Sequence, residues 1–406
     1  MGAAITLCAL ACPSFCRGDR SAPEQPPLPA LRIDVASLGY MRPSDFYLSY
    51  RLSSMSMGFF DNDRLLFTFR VGGLLRRVPS DRPDDEDQQI RALVLDVRTG
   101  RVLKQTEWRM HDRNRYLWAY PDSRFLVRIR DSLYLAGPSL QLLPYLSSDT
   151  TLRLVETSPD RSLTLIETDT PGGKPEIVQG DGAPIMEQPV DVELLPSGSR
   201  KPILLSNARS AAAFPLMDDG MLEFLEGRSI GDWVLQEVFF RGKSKMIAHI
   251  GSVCRPSLQP ISSKAVLVMG CSPNTGAGMP VYAIAVGDGS LLWQQQWESK
   301  YVWGFFDYAV NGSRFAYESI EVNRPVSVFD TLDPEDIIRQ LVGVYDTGTG
   351  RMELLKDTVP VLTAGQNIAL SPDGSRFAVL RNGAIEIYNL PPLPAAPAKT
   401  PLTGPK

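Results

Sequence analysis

Residues 370–388 read LSPDGSRFAVLRNGAIEIY, and this stretch decides the fold. A polar turn, SPDG at 371–374, precedes one apolar run, and a second turn, NG at 382–383, precedes another. Proline presets φ for a tight turn, while glycine and asparagine tolerate positive φ. Short, partly alternating apolar runs between such turns are typical of β-strands. The stretch therefore predicts antiparallel strands joined by tight turns.

The same signature, a polar turn followed by a strand rich in Leu, Phe and Val, recurs along the chain. Its seven copies are spaced at roughly 40–60 residues, which is the period of β-propeller blades. The copies begin at Asp61, Pro121, Ser158, Met217, Ile261, Val310 and Ser371. A second signature joins two strands through a Thr-Gly or Asp-Gly turn, at 92–102, 282–293 and 342–352. Together they give four strands per repeat, which we label a to d from the axis outward.

These repeats predict an all-β chain that folds as a seven-bladed β-propeller of four-stranded antiparallel blades. The last repeat ends after a third strand at 384–388, because the prolines from Pro391 onward stop strand pairing. Residues 31–38, LRIDVASL, can supply the missing outer strand, which would close the ring and hide both terminal edges. Eight blades is the alternative, since residues 170–215 are long enough to hold a degenerate repeat.

The motifs also carry a resemblance to known propellers. Residues 370–388 look like the inner strands of a blade from WD-repeat and related bacterial propellers of the YVTN type. The turns DVRTGRV at 96–102 and GDGSLLW at 287–293 resemble quinoprotein-type blades. The resemblance extends from about residue 30 to 391 and implies architecture only. The Gly-His and Trp-Asp marks of WD repeats are absent, as is the ligand set of a quinone-dependent dehydrogenase.

The N-terminus predicts export. Residues 2–16, GAAITLCALACPSFC, form an uncharged apolar run that is too short to span a bilayer but fits a signal peptide. No Lys or Arg precedes the run, and a buried N-terminal segment is the alternative. A lipid anchor on Cys12 and simple cleavage both stay open. The predicted organisation is a signal peptide (1–16), a Pro-rich linker (17–29), the propeller (30–391) and a disordered Pro/Ala-rich tail (392–406), in a protein that is secreted, periplasmic or lipid-anchored.

Composition excludes several function classes. A net charge of −4 and a pI near 5.5 give no electrostatic reason to bind nucleic acid or anionic lipid. The two histidines, His111 and His249, argue against His-rich metal sites and His-dependent catalysis. His249 lies in a strand pattern and predicts a hydrogen-bonded structural role, and His111 predicts a solvated loop or a polar contact on a binding face. We predict no catalytic residue, cofactor or metal.

The acidic run at 83–87, PDDED, could hold calcium, since hard cations bind several carboxylates. It lacks the alternating spacing and the glycine of a calcium loop, so a solvated charge run is the favoured interpretation. The tryptophans, including Trp293, Trp297 and Trp303, predict core packing between blades rather than a ligand platform.

Three long insertions, at 72–89, 271–280 and 320–340, fall between strands b and c of their blades. In a four-stranded meander the b–c and d–a connections emerge on the same face, so these insertions and the loop carrying His111 should crowd one side of the ring. Long loops in a compact domain are usually functional or disordered. The sequence Asp333-Pro334-Glu335 also predicts the start of a short helix. The candidate binding residues are His111, Asp112, Arg113, Asp84, Asp85, Asp87, Asp333 and Glu335.

Two function classes follow. The first is an extracytoplasmic scaffold or recognition module, a monomeric propeller that binds a protein, peptide or glycan through loops on one face. Any membrane tether would run through the N-terminus, and no nucleic-acid partner is expected. The alternative is an enzyme at the channel mouth, such as a lyase, a hydrolase or a quinone-dependent oxidoreductase.

The cysteines predict one disulfide. Of five cysteines, three lie within the predicted signal, which leaves Cys254 and Cys271 as the natural pair in an oxidising compartment. Both lie eight to nine residues from the midpoint of the turn at Ser262–Ser263, so they should face each other across an antiparallel ladder. Two buried free cysteines are the alternative.

Overall fold

The computed structural model describes most of residues 27–393, and no helix in this part of the chain is long and apolar enough to cross a membrane. The predicted signal peptide lies outside the described residues, as do most of the linker and most of the tail. The internal segments that are not described are 43, 45–54, 74, 84, 86, 112–114, 179–184, 214, 272–278, 298–300, 303–304, 324–333 and 359–365.

The chain is a seven-bladed β-propeller, and each blade is an antiparallel sheet. After the N-terminal strand β1 (Leu31–Asp34), the first three blades are, in order, β2 (Met55–Phe59), β3 (Arg64–Val71), β4 (Gln88–Asp96) and β5 (Val102–Met110); β6 (Leu117–Tyr120), β7 (Arg124–Ile129), β8 (Ser132–Ala136) and β9 (Leu142–Ser147); and β10 (Leu152–Thr157), β11 (Leu163–Asp169), β14 (Val190–Pro196) and β15 (Ile203–Ala208). A separate hairpin, β12 (Glu176–Val178) and β13 (Ile185–Glu187), is inserted between β11 and β14.

The remaining four blades continue the same pattern. They are β16 (Gly220–Glu226), β17 (Asp232–Phe239) and β18 (Ser244–Gly251); β19 (Ser257–Ser262), β20 (Ala265–Met269), β21 (Met279–Ala285) and β22 (Leu291–Trp297); β23 (Tyr301–Val302) with β24 (Phe306–Tyr308), β25 (Arg314–Val322), β26 (Ile337–Asp346) and β27 (Met352–Thr358); and β28 (Ile368–Leu370), β29 (Arg376–Arg381) and β30 (Ala384–Asn389). Two short 3-10 turns, Ala36–Leu38 and Pro334–Asp336, complete the regular structure of the described residues.

The predicted ring closure is confirmed. Strand β1 pairs antiparallel with β30, with Ile33 opposite Ile385, and becomes the outer strand of blade 7. The strand is shorter than the predicted 31–38, because the chain turns into the 3-10 segment Ala36–Leu38 and leaves it through Gly39 at φ +84°. The eighth blade is ruled out, since residues 170–215 contain the β12–β13 hairpin and the two outer strands of blade 3.

The seven copies of the turn signature coincide with the seven a–b turns. In the turn of blade 7 the Asp373 carboxylate accepts the Ser375 N–H at 2.9 Å, and the Ser371 hydroxyl accepts the Arg376 N–H at 2.9 Å. Gly374 adopts φ +70°, a conformation that costs glycine little. Local side-chain chemistry therefore fixes the a–b turn, and the period of these turns fixes the blade count.

Blade 4 departs from the four-strand pattern, since its described residues form three regular strands. Residues 215–217 occupy the inner position through two hydrogen bonds, from the Met217 N–H to the Gly220 carbonyl and from the Leu222 N–H to the Pro215 carbonyl. Pro215 has no N–H to donate, which limits the pairing of this inner segment.

The hydrophobic core lies between neighbouring blades. One cluster joins β1 and blade 7 to blade 1, with Ile33, Val35 and Met55 among its buried members. Another joins blades 5 and 6, where Trp293 and Trp297 are buried against aromatic side chains of β25. The predicted packing role of these two tryptophans is confirmed, and Trp303 lies outside the described residues.

The structure brings Cys254 and Cys271 to disulfide distance, with Cα atoms 5.6 Å apart. The predicted position within a ladder is wrong, because β19 begins only at Ser257 and β20 ends at Met269. Cys254 lies instead in the d–a connection between blades 4 and 5, and Cys271 lies in the b–c connection of blade 5. The bridge therefore joins two loops rather than two paired strands.

We expect replacement of both cysteines by serine to lower the free energy of unfolding by about 3 kcal/mol. The disulfide closes a loop between residues 17 positions apart, and this closure restricts the unfolded chain. Denaturant unfolding of the wild type with and without reductant measures the effect. Reductant should leave the double-serine variant unchanged, which serves as the control. Free labelling of both thiols in protein purified from an oxidising compartment would contradict the bridge.

Candidate functional site

The two faces of the ring differ in the length of their loops. One face, the turn face, carries the a–b and c–d connections, and the longest of these spans only 197–202. The other, the insertion face, carries the b–c and d–a connections. The b–c connections include 72–87 in blade 1, 170–189 in blade 3, 270–278 in blade 5 and 323–336 in blade 6. Long loops are therefore confined to one face, as the sequence predicted.

The boundaries of the insertions are corrected by the structure. Gln88 and Gln89 belong to β4, and β25 and β26 extend into the ends of the third predicted insertion. The predicted helix after Asp333 is only the 3-10 turn Pro334–Asp336, which leads directly into β26. The blade 3 insertion was not predicted from the sequence, and its hairpin carries the exposed pair Ile177 and Met186. Short apolar pairs on either side of GDGAP at 180–184 were the available signal.

Three carboxylate side chains and one imidazole meet on the insertion face, and we call these four side chains the Asp–His cluster. Asp81, Asp85 and Asp87 come from the b–c connection of blade 1, and His111 comes from the d–a connection that leads to blade 2. One potential ligand atom from each lies within 4.8 Å of the others. From the His111 Nδ1, the distances are 2.6 Å to Asp87 Oδ1, 3.5 Å to Asp85 Oδ2 and 3.9 Å to Asp81 Oδ1.

The Asp–His cluster is enclosed, in contrast to the solvated charge run and solvated His111 loop that the sequence favoured. The Asp81 side chain is 1% exposed and that of His111 is 12% exposed. The sequence did not indicate this because the enclosing groups, such as Arg130, come from the neighbouring blade. Only the folded ring brings blades 1 and 2 together around the acidic run.

Two arginines hold the carboxylates of the cluster. Arg109 donates to Asp81 Oδ2 at 2.7 Å and also to Asp87 Oδ2. Arg130, from the b–c turn of blade 2, donates to both oxygens of Asp85. A further ion pair, Arg82 to Asp131 at 3.0 Å, ties the insertion of blade 1 to the same turn of blade 2. The contacts fix the blade 1 insertion against its neighbour.

The carboxylates of Asp81 and Asp85 are held in the ionised form. Burial acts to raise the pKa of Asp81, but the Val78 N–H and the charge of Arg109 outweigh it, and the pKa lies below its ordinary value. Burial likewise acts to raise the pKa of Asp85, and the hydrogen bond from Arg130 contributes most to lowering it below the ordinary value. At neutral pH the cluster therefore offers anionic oxygens.

The other predicted binding residues are not brought into this cluster by the described structure. Glu335 is exposed on the 3-10 turn of blade 6, and its backbone carbonyl accepts the Asn323 side-chain amide. Asp84, Asp112, Arg113 and Asp333 lie outside the described residues. His249 contacts Asp232 on the outer strands of blade 4, with 3.1 Å between Nδ1 and Oδ1, which agrees with its predicted hydrogen-bonded role.

Charged side chains also cross the central channel. The Arg115 guanidinium of blade 2 lies 5.9 Å from the ring centroid of Phe305, which belongs to blade 6. Asp307 of blade 6 interacts electrostatically with Arg161 of blade 3. Blades 2 and 6, like blades 3 and 6, are not neighbours in a ring of seven. These interactions must therefore cross the axis.

The side chains that meet in the channel affect one another's pKa. Burial raises the pKa of Asp307, while the Leu370 N–H, which donates to it at 2.7 Å, and the charge of Arg161 offset part of that rise. Burial also raises the pKa of Tyr308 to about 12. Protein surrounds Arg115, yet its side chain keeps exposed surface, which is typical of a group lining a narrow channel. Both histidines lie away from this channel.

Comparisons with known proteins give distant structural similarity only. No protein-family model matches the chain, and no curated protein sequence matches it. Among solved structures, a protein described as TolB from Agrobacterium tumefaciens is 17% identical, with a TM-score of 0.41, over 72% of this chain and 94% of that one. An oligogalacturonate lyase in complex with manganese is 10% identical, with a TM-score of 0.47, over 83% of this chain and 97% of that one.

An acylaminoacyl peptidase from Pyrococcus horikoshii is 9% identical, with a TM-score of 0.49, over 87% of this chain and 54% of that one. At such identities and TM-scores, none of these proteins carries an argument about activity, ligand or partner. The assignment as a β-propeller rests on the seven sheets themselves.

Proposed function

We propose that this chain is an extracytoplasmic recognition module that binds a protein partner through its insertion face. The observation that carries the proposal is the asymmetry of the ring: long loops occupy the insertion face, and tight turns occupy the turn face. A rigid scaffold that presents long loops on one side is a common arrangement for binding. A peptide or a glycan is the alternative partner, and either would bind through the same loops.

Two sets of contacts support this use of the insertion face. The Asp–His cluster fixes the insertion of blade 1, and the Cys254–Cys271 bridge fixes the loops at the start of blade 5. Loops that are held in place lose less conformational entropy when a partner binds. The bridge also agrees with an oxidising compartment outside the cytoplasm, where disulfides persist. The N-terminal signal remains part of the proposal.

The channel-mouth enzyme is the second candidate, and the charges that cross the axis are the observation in its favour. Asp307, Arg115 and Arg161 form a group of one carboxylate and two guanidinium groups, in which the carboxylate already accepts backbone hydrogen bonds. Such a group is better suited to holding the channel together than to transferring protons, because the arginines remain charged. We therefore place recognition first.

Site-specific photo-cross-linking in cells of the organism that encodes the protein tests the proposed face. A photoreactive residue is placed at exposed positions of the insertion face, Ile230, Val253 and Glu335, and at exposed control positions of the turn face, Asp122 and Lys201. We expect a discrete protein adduct at the first group and none at the second. Adducts confined to the turn face would contradict the proposal.

A further inference from the structure

The Asp–His cluster has a second property, which is a set of buried polar atoms without hydrogen-bond partners. Asp81 Oδ1, Asp87 Oδ1 and His111 Nδ1 all lack a hydrogen-bond partner within the structure. The Asp87 and His111 atoms are close, at 2.6 Å, but they are not aligned for a hydrogen bond. Asp81 Oδ1 lies 3.6 Å from an Arg130 nitrogen, which is beyond a good hydrogen bond. Leaving such atoms unsatisfied is costly, so the arrangement calls for a ligand.

The arginines determine which atoms remain available. Arg109 occupies the Oδ2 atoms of Asp81 and Asp87, which leaves the two Oδ1 atoms facing His111. Hydrogen bonds of this kind orient metal ligands in proteins and are needed for affinity. The Asp81 side chain, at 1% exposed, projects its unpartnered Oδ1 into the cluster. The three free donor atoms therefore have fixed directions.

We propose that the Asp–His cluster binds one divalent first-row transition-metal ion. The donors would be Asp81 Oδ1, Asp87 Oδ1 and His111 Nδ1, with Asp85 Oδ2 as a fourth ligand that it shares with Arg130. An imidazole nitrogen among carboxylate oxygens suits Mn²⁺ or Zn²⁺, whereas Ca²⁺ takes oxygen ligands. The inference goes beyond the proposed recognition function and does not depend on it.

The distances fit this ion with small side-chain movements. Ligand atoms that surround one ion at about 2.1 Å lie roughly 3–4 Å from one another. The distances from His111 Nδ1 to the three carboxylates range from 2.6 to 3.9 Å. Binding would therefore move Asp87 and His111 slightly apart.

The charge balance admits a cation. Three carboxylates face two guanidinium groups, so the cluster with neutral His111 carries one net negative charge. A proton on His111 would also balance that charge, and it is the competing explanation for the cluster. A bound ion and a proton are distinguished by whether His111 Nδ1 binds metal.

The ion would have a structural consequence on the insertion face. It would join the b–c connection of blade 1 to the d–a connection between blades 1 and 2. The Cys254–Cys271 bridge joins the same two kinds of connection at blade 5. Metal and disulfide would then fix two separate parts of the same face.

Histidine NMR offers a direct test, because the chain has only two histidines. Protein stripped of metal with a chelator and labelled at histidine nitrogen is titrated with Zn²⁺ and, separately, with Mn²⁺. We expect the Nδ1 signal of His111 to shift with one equivalent of Zn²⁺ and to broaden with Mn²⁺, while His249 stays unchanged. Unchanged His111 signals with both ions would overturn the proposal and leave the protonated histidine.

Metal content after dialysis provides the second measurement. We expect one tightly bound Zn²⁺ or Mn²⁺ per chain in the wild type, and affinity reduced by more than about 100-fold in Asp81→Asn and in His111→Gln. His249→Gln removes the other histidine–aspartate contact and should bind as the wild type does. Retention of the ion in both cluster variants would refute the site, as would binding of Ca²⁺ without Mn²⁺ or Zn²⁺.

Discussion

Replacing Ile33 and Val35 together by aspartate should open the ring and remove most of the stability of the propeller. Both side chains are buried in the core that joins blade 7 to blade 1. Loss of each buried aliphatic side chain costs about 2–4 kcal/mol, and a buried unpaired charge costs more. The total of at least about 5 kcal/mol is comparable to the whole stability of a typical domain.

Thermal unfolding and limited proteolysis measure this effect. We expect a large fall in the unfolding temperature and new cleavage around β30, whose edge β1 covers. Arg32→Ala alters the same strand on its exposed side and should cost far less, since Arg32 makes a long contact with Glu386, at 3.9 Å, and one hydrogen bond to the Asn382 carbonyl, at 3.2 Å. If the double-aspartate variant unfolded at the same temperature as the wild type, β1 would not be the strand that closes the ring.

Glu318→Gln should stabilise the protein at neutral pH and leave it unchanged in acid. Glu318 lies on β25, is 3% exposed, and has one carboxyl oxygen without a hydrogen-bond partner. Burial raises the pKa of Glu318 to about 8, and a hydrogen bond with Asn367 offsets only part of the rise. At pH 7 the folded protein therefore keeps a proton on this carboxyl.

The direction of this pH dependence follows from the pKa of Glu318 in the unfolded and in the folded chain. The unfolded chain releases the proton near pH 4.5, which is the ordinary value for glutamate, while the folded chain keeps it until about pH 8. The contribution of Glu318 to stability therefore falls as the pH rises through this window. Glutamine has no proton to lose, so the variant should be more stable by about 3 kcal/mol at pH 7.

Denaturant unfolding at pH 4 to 8 measures the difference in the free energy of unfolding between wild type and Glu318→Gln. This difference should be near zero at pH 4 and grow with pH. Glu335→Gln, at an exposed glutamate of the same blade, should show no such growth. A gap that is constant with pH would contradict the assigned burial of the Glu318 carboxyl.

The blade count and ring closure could be predicted because they depend on local chemistry. Turns such as 371–375 are set by proline, glycine and short polar side chains within a few residues. The outer strand missing from the last repeat was visible as Pro391 after only three strands. The disulfide pair followed from elimination, although the exact strand boundaries did not.

Only some residues of the Asp–His cluster and its surroundings could be predicted from the sequence. Asp85, Asp87 and His111 stood out as loop residues, but Asp81, Arg109 and Arg130 did not. Their importance arises from contacts between blades 1 and 2, over sequence separations that a local pattern does not report. The enclosure of the cluster changed the interpretation of the acidic run from a solvated segment to a set of oriented donors.

By itself, the sequence determined the propeller architecture, the closing strand and the face that carries the long loops, and it favoured seven blades over eight. Each of these depends on the period of strands and turns, which neighbouring residues encode. Only the tertiary structure decided which charges meet in the Asp–His cluster, which cross the axis, and that Glu318 is buried. The reason is that burial and charge pairing depend on the packing of one blade against another, and on the ring that brings distant segments to a common centre.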